Sequence, residues 1–555
     1  MIHQPTSVYI NWSAYDELSD NVELTEEIAM RQLDELLRLR ELGVQFDYYL
    51  MDAYWFARDG GYRTWRKPHW PNGPDRWLAE CLSHGVKPAL WVATNVLSKM
   101  EPVPEWEASL DAGRSGACCF YGGFLPHFLE TLHLWYERGV RMFKFDFANF
   151  GAAPPGFDEV MLPSEIRTAN VLAFQGAMKR FRQTHPEVAF VAYNGFEEVH
   201  AQSNTSTPYR RSVDLKWLEV FDSMYCGDPR PADVPAMNFW RSKDVYSDHQ
   251  VYWYAANGMP LERIDNAGFM IGTTGTCYHR GKAAWKGMLL LSLARGGYVN
   301  TYYGCLDLLD AEDAAWFAKA QRLFYGLRVH VPFGRLGGVP GRAEPYGYSA
   351  CDSEFKQGLL AVVNPSQAVA TLALPEGGEK LLLFRDAGFE PQLNKDGITL
   401  GPEQMALIGV GAYANDANDL GVQDDVTIPS AIGPLAAEFK PDGEKAIVAT
   451  AAPPALGRMR IVGRQTERGL AKRTSGGSPP KGTSLGKMLT LSASQGGKPV
   501  AVDIQYDKAI WSGLSWAVGE IPAERLAAGE PVTVRFSTTE PARVELAGQL
   551  FAVEY

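Results

Sequence analysis

The feature that most limits what this chain can fold into is an alternation. From residue 8 to about residue 328, short apolar runs of strand length take turns with longer stretches of helical periodicity. Val8–Trp12 reads as a strand, and Thr25 to Leu42 as a helix with Thr25 as cap and Gly43 as stop. Phe46–Met51, Pro88–Val92 and Met142–Phe147 follow as strands, separated by helices over Pro74 to His84 and Phe124 to Arg138. A long helix over Ser164 to Thr184 leads to strands at Ala189–Tyr193 and Val220–Cys226. A helix over Asp244 to Ala256, a strand at Ile264–Met270, a helix over Lys282 to Ala294, a strand at Val299–Tyr303 and a helix over Ala311 to Tyr325 close the series. Eight strand–helix units predict a (β/α)8 TIM barrel with enlarged loops.

At 555 residues the chain is too long for one ordinary domain. Past about residue 332, glycine and proline punctuate short runs, Gly358–Val363, Ala370–Leu374 and Lys380–Phe384, which read as all-β structure. Residues 414–429 are polar and read as a linker or exposed loop, and a further β-rich stretch runs to Tyr555, with a Gly/Ser/Lys/Pro-rich loop around 474–487. The expected organisation is a catalytic barrel over 1–331, an antiparallel β-sandwich over 332–415 and a second β-rich domain over 416–555. For that last domain a carbohydrate-binding and a structural role both stay open. No internal repeat is visible.

The fourth strand carries the chemistry. Val140, Met142, Phe143, Phe145 and Phe147 form a near-continuous apolar run, as expected of a strand covered on both faces. Lys144 and Asp146 interrupt it two residues apart, so strand alternation puts them on one face. Two buried charges are costly unless paired or used, and the C-terminal end of a barrel strand is where catalytic groups sit. A structural ion pair is the alternative reading of Lys–x–Asp.

Composition narrows the partners. A net charge of −12 with only short Lys/Arg clusters argues against nucleic acid. No segment has the run of about 18 apolar residues that a membrane span needs. The N-terminus, Met1–Pro5, lacks the basic and apolar regions of a signal peptide, which makes the cytoplasm the expected compartment. Seven scattered cysteines suit a reducing environment, and ten histidines form no zinc-ligand spacing, so no metal is expected. A homo-oligomer stays open. Several aromatic residues fall near strand ends, among them Trp12, Tyr54, Trp55, Trp91 and Tyr225. Such rings can stack on sugars, and core packing accounts for them as well.

Taken in order, several segments resemble the retaining α-galactosidase/melibiase superfamily, glycoside hydrolase clan D. They are Asn11–Tyr15 with Leu24–Glu27, Tyr49–Phe56, Trp70–Gly73 with Gly85–Trp91, the Lys-x-Asp of Phe143–Asp146, Arg263–Gly268, and the Asn364-Pro365-Ser366 turn of the first β domain. The resemblance covers roughly residues 8–330 and, more weakly, the following β domain.

The resemblance implies a retaining exo-glycosidase acting on an oligosaccharide or other glycoside, without cofactor, with Asp146 as nucleophile. Lys144 beside it would favour the charged carboxylate and donate to sugar hydroxyls. The acid/base is expected from the end of strand six. Asp228 ends the better strand pattern and is preferred; Asp244, in Trp240–Val245, is the other candidate and reads alternatively as a helix-start carboxylate. Asp52 is expected to bind glycone hydroxyls, or else to be a satisfied strand-end carboxylate. Trp91 is a candidate sugar platform or a core residue. Asp265 and Asn194 are expected to hydrogen-bond from strands seven and five, and Arg241 to contact a hydroxyl or an acidic group.

The chain departs from the family at two places. Asp52-Ala53 stands where the family has paired aspartates, and Tyr193–Phe196 where it has a Cys-containing segment. Both bear on which sugar is read. Two rivals follow: a non-catalytic carbohydrate-binding homologue, and an unrelated barrel enzyme, a lyase or isomerase, using Lys144 as base.

Overall fold

The computed structural model describes residues 1–15, 22–199, 211–227, 247–272, 281–467, 489–506, 509–510, 514–542 and 544–555. Its first part is a barrel of eight parallel strands: β1 (Thr6–Ile10), β2 (Tyr48–Met51), β3 (Lys87–Ala93), β4 (Met142–Asp146), β5 (Ala189–Ala192), β6 (Ser223–Met224), β7 (Asn266–Ile271) and β8 (Val299–Gly304). They pair in the order β6-β5-β4-β3-β2-β1-β8-β7. A parallel bridge between Met224 and Ile264, with the Asp265 amide donating to the Met224 carbonyl at 2.9 Å, closes the sheet on itself. The barrel expected from the alternation is therefore present.

Helices α1 (Glu26–Glu41), α2 (Asp75–Ser83), α3 (Phe124–Glu137), α4 (Pro163–Thr184), α5 (His249–Ala256), α6 (Trp285–Arg295) and α7 (Ala311–Arg328) follow strands β1, β2, β3, β4, β6, β7 and β8. Thr25 caps α1 as expected, its hydroxyl accepting from the Ile28 amide at 3.3 Å. Between β5 and β6 the described residues hold no α-helix. A hairpin, Glu197–Val199 with Arg211–Val213, and a 3-10 turn, Leu215–Glu219, stand there instead. The sixth strand is also shorter than its apolar run: only Ser223 and Met224 pair, and Phe221 is spent on packing against Phe145, Phe174, Phe196 and Trp217.

Beyond the barrel come β modules. The first has a six-stranded sheet, in order Phe333–Gly337, Tyr346–Cys351, Gly358–Asn364, Gln404–Val410, Lys380–Gly388 and Gly421–Ile428, and a three-stranded sheet of Ala370–Ala373, Gly397–Leu400 and Gln392–Leu393. The pairing of Gly421–Ile428 with Lys380–Gly388 is parallel. Residues 414–429, expected as a linker, thus contain a strand, and this sheet runs past the boundary expected at 415. Polarity hid the strand: Gln423, Val426 and Ile428 are buried while Asp424, Asp425 and Thr427 are exposed. The last module packs two antiparallel sheets over a core that includes Met459, Ile461, Ile521, Val534, Phe536 and Leu550. Its Val462, Val518, Phe551 and Val553 belong to the same continuous core as the barrel. No helix among the described residues is long and apolar enough to cross a membrane, and they hold no cluster of three or more metal-ligating side chains.

One buried carboxylate joins the barrel to the first module. Asp386 accepts from the Met405 amide (2.9 Å) and from Gln423 Nε2 (2.7 Å), and Gln423 Oε1 accepts from the Gly287 amide in the first turn of α6 (3.1 Å). Burial pushes the Asp386 carboxyl up to about 7. The unfolded chain loses this proton near the ordinary carboxylate pKa of about 3.9. Between these two values the unfolded state alone is ionised, so stability falls as pH rises, by about 1.4 kcal/mol per pH unit from this group. Asp386→Asn forfeits one hydrogen bond, because an amide nitrogen cannot accept, but abolishes the titration. Urea unfolding at pH 5, 6 and 7 is expected to show the wild-type advantage over Asp386→Asn shrinking by about that amount per unit. A constant gap would show that Asp386 does not carry the proton.

Candidate active site

Asp146 ends β4 and is 6% exposed. Four N–H donors meet its carboxylate. Oδ1 accepts from the Phe147 amide (2.9 Å), the Asn194 amide (3.1 Å) and Asn194 Nδ2 (2.9 Å); Oδ2 accepts from Trp91 Nε1 (3.1 Å). This donor set matches a carboxylate, which accepts only. It also makes the two oxygens unequal, with Oδ1 crowded by three donors and Oδ2 met by one.

The donors are placed by the sheet. The parallel register sets Trp91 beside Lys144 and Ala93 beside Asp146. Trp91 is 1% exposed, stacked on Phe56 and met edge-on by Tyr54 and Phe147. Its indole thus serves Asp146 from within the core, and its ring is not the open face expected of a sugar platform. Asn194 is brought close by Gly195, whose φ is +101°; a Cβ there would stand 2.2 Å from the Ala148 carbonyl oxygen. That approach lets the Ala148 amide donate to the Asn194 carbonyl at 3.0 Å.

Lys144 lies on the same face of β4, as alternation requires, but its 2.7 Å ion pair is with Asp52. The expectation had the ammonium holding Asp146. In the structure the pair spans β4 and the end of β2, while N–H groups serve Asp146. The Asp52 amide donates to Asn11 Oδ1 (2.9 Å), and its own Oδ1 accepts from the Ala53 amide (2.8 Å). Burial raises the Asp52 carboxyl above the ordinary carboxylate range; the Lys144 charge and hydrogen bond oppose that rise, and the Asp146 charge adds to it.

Asp265 stands immediately before β7 and is 1% exposed. It accepts from the Tyr193 hydroxyl at 2.6 Å and from Thr301 Oγ1 at 3.0 Å. Burial raises its carboxyl too, against the two hydroxyls and the Arg295 and Lys144 charges. Of the predicted residues, Asp146, Trp91 and Asn194 therefore form one group, Lys144 and Asp52 a second beside it, and Asp265 joins them through Tyr193. Asp228, Arg241 and Asp244 lie outside the described residues.

Sequence reasoning missed Thr301 and Tyr303, which reach this network from β8. Their i, i+2 spacing was the available signal. It also missed two buried asparagines that tie down the loops after β3 and β4. Asn95 donates to the Ala117 and Asn149 carbonyls, both at 2.8 Å, and accepts from the Asn149 amide at 2.7 Å. Asn170, on α4, accepts from the Cys119 amide (2.6 Å) and donates to the Phe150 and Ala152 carbonyls, both at 2.9 Å.

No protein-family profile matches the chain, and no curated protein matches it. Solved structures do. A variant of the GH36 α-galactosidase AgaA from Geobacillus stearothermophilus, in complex with raffinose, matches at 13% identity and a TM-score of 0.48, over 73% of this chain and 56% of that one. AgaB from the same organism matches at 14% and 0.48, over 74% and 56%. The α-galactosidase from Lactobacillus brevis matches at 13% and 0.47, over 74% and 55%. The chain thus covers little more than half the length of these structures, and at such identity residue roles do not transfer from them.

Gly195→Ala is expected to force β4 and β5 apart at their ends, costing about 1–3 kcal/mol in urea unfolding and loosening the Asn194 donors from Asp146. Asn194→Ala removes the Nδ2 donor without the clash and is expected to cost about 1 kcal/mol. Equal unfolding midpoints for Gly195→Ala and wild type would show that the close approach does not constrain the site.

Proposed function

We propose that the protein is a retaining exo-glycosidase that hydrolyses an α-linked, galactoside-like sugar through a glycosyl–Asp146 intermediate. One observation supports this most: a buried carboxylate at the C-terminal end of a barrel strand, oriented by four N–H donors and standing beside a Lys–Asp pair. The resemblance of the Lys144-Phe145-Asp146 segment points the same way.

In this reading Asp146 Oδ2 attacks the anomeric carbon. It has the fewer donors, so a lone pair remains for the new C–O bond. The glycosidic C–O bond breaks, and its oxygen takes a proton from the acid/base, Asp228 by preference or Asp244. The same residue then removes a proton from water, which attacks the anomeric carbon and releases Asp146. A retaining enzyme needs the two carboxyl groups about 5–5.5 Å apart. Lys144 and Asp52 together offer a donor and an acceptor to neighbouring sugar hydroxyls. Ala53, with no carboxylate, leaves one hydroxyl of a galactose-type glycone unread, so a relative of that sugar fits equally well.

The lyase or isomerase reading asks Lys144 to take a proton. That nitrogen is already engaged by Asp52 at 2.7 Å and lies over the Tyr193 ring.

A panel of aryl glycosides in both anomers, followed by mass spectrometry with a fluorinated or cyclitol-based inactivator, tests the proposal. Labelling is expected on Asp146. Asp146→Ala is expected to lose roughly 10³- to 10⁶-fold in kcat, and added azide to restore turnover with an inverted glycosyl azide as product. Asp228→Ala is expected to spare substrates with strongly activated leaving groups and cripple the rest; the same pattern from Asp244→Ala would move the acid/base there. Sugar binding without labelling or turnover would make the protein a carbohydrate binder.

A further inference from the structure

Tyr193 follows β5 directly, and nothing in the catalytic scheme above uses it. The Lys144 ammonium lies over its ring, 4.0 Å from the centroid, while the Tyr303 ring is 5.8 Å away. Lys144 is thus bounded by a carboxylate and a π face. The ring is itself held at three points. Its hydroxyl donates to Asp265 Oδ2 at 2.6 Å and shares a 2.7 Å hydrogen bond with the Tyr303 hydroxyl, and its face stacks on Tyr225 at 4.4 Å with 19° between planes. Asp265 is fixed in turn by Thr301 Oγ1, and its carbonyl accepts from Arg295 Nη2 at 3.1 Å.

A lysine is a compact charge on a flexible four-carbon stem. An ion pair fixes its distance from one partner and leaves its direction free. A ring face whose own orientation is set by two hydrogen bonds and a stacking contact removes that freedom. We propose that Tyr193 is a positioning residue of this site: its ring holds the Lys144 ammonium against Asp52, in the place where a ligand hydroxyl meets it. The last clause rests on the glycosidase reading; the hold on Lys144 does not.

Lysine-selective ¹³C,¹⁵N labelling reads the ammonium directly, and the Lys144 signal is identified by its loss in Lys144→Arg. In the wild type that signal is expected upfield of the other lysines through the ring current, and slow to exchange. Tyr193→Phe keeps the π face and is expected to keep the signal; Tyr193→Leu is expected to lose it. Should Tyr193→Leu fail to fold, Tyr193→Met fills the volume without a π face and takes its place. On the aryl glycoside that the wild type turns over fastest, Tyr193→Leu is expected to lose roughly 5- to 30-fold in kcat/KM, and Tyr193→Phe less than about 3-fold. The loss should fall on KM, because a hydroxyl contact made alike in ground and transition states is uniform binding; a merely loosened fold would lower the melting temperature and kcat instead. No upfield signal in the wild type, or an unchanged one in Tyr193→Leu, overturns the hold on Lys144. An unchanged KM overturns its role at the ligand. If the wild type neither turns over nor is labelled at Asp146, the glycosidase reading fails by itself, and the resonance comparison still decides whether Tyr193 holds the ammonium.

Discussion

An ammonium and a carboxylate stand 2.7 Å apart inside a closed barrel, each less than a tenth exposed. Removing both from water costs several kcal/mol per ion, and their attraction offsets this only if the remaining lone pairs and protons also find partners. Asp52 Oδ2 takes the ammonium and its Oδ1 accepts from the Ala53 amide, and residues on or beside four strands hold the pair in place. β2 supplies the carboxylate and β4 the ammonium, Asn11 beyond β1 accepts from the Asp52 amide, and Tyr193 beyond β5 offers its ring. A slip of one residue in any of these registers would turn the group to the other face of the sheet. An apolar pair of equal volume would commonly be as stable. The pair is therefore weak evidence of added stability.

The same economy governs the neighbouring carboxylate. Asp146 has no ion pair at hydrogen-bond distance among those described. It has N–H groups from its own strand end, from β3 and from beyond β5. Such donors orient a carboxylate with no ion pair to it among the described residues. Asn95 and Asn170 extend the scheme outward, each tying the loop after β3 to the loop after β4.

Much of this could be read from the residues, and the exceptions share a cause. Lys144 and Asp146 were legible because alternation in a strand buried on both faces leaves few places for a charge. The partners were not. Which carboxylate the ammonium chooses depends on how β2 and β4 sit across β3, and a single strand carries no record of that. Trp91 stayed open between a sugar platform and a core residue because its place at a strand end is visible, whereas Phe56 and Tyr54, which cover it, come from another loop. Phe221 extended the apparent sixth strand because an aromatic residue suits both a strand and the cluster it joins. Gly421–Ile428 hid behind its charges, since an edge strand shows only half its residues to the core.

That hidden strand changes what the barrel is. Ten of the eleven residues of α6 are buried, and a helix apolar on all sides must be covered on all sides. The barrel covers one side through β7; the sheet strands Tyr346–Cys351 and Gly358–Asn364 cover another. The first amides of a helix have no partner within it. Here the Ala284 amide, at its cap, goes to Asp425 Oδ2 at 2.8 Å and the Gly287 amide to Gln423, both on Gly421–Ile428. At the other end, Arg295 pairs with Asp248 at 3.2 Å and donates to the Asp265 carbonyl, and Asp248 also accepts from the Tyr346 hydroxyl at 2.7 Å. The β module thus satisfies one end of α6 and braces the residue that fixes the other to Asp265. It is part of the scaffold that holds the Asp265 backbone, through Tyr346, Asp248 and Arg295, and its strands belong to the same core as the barrel.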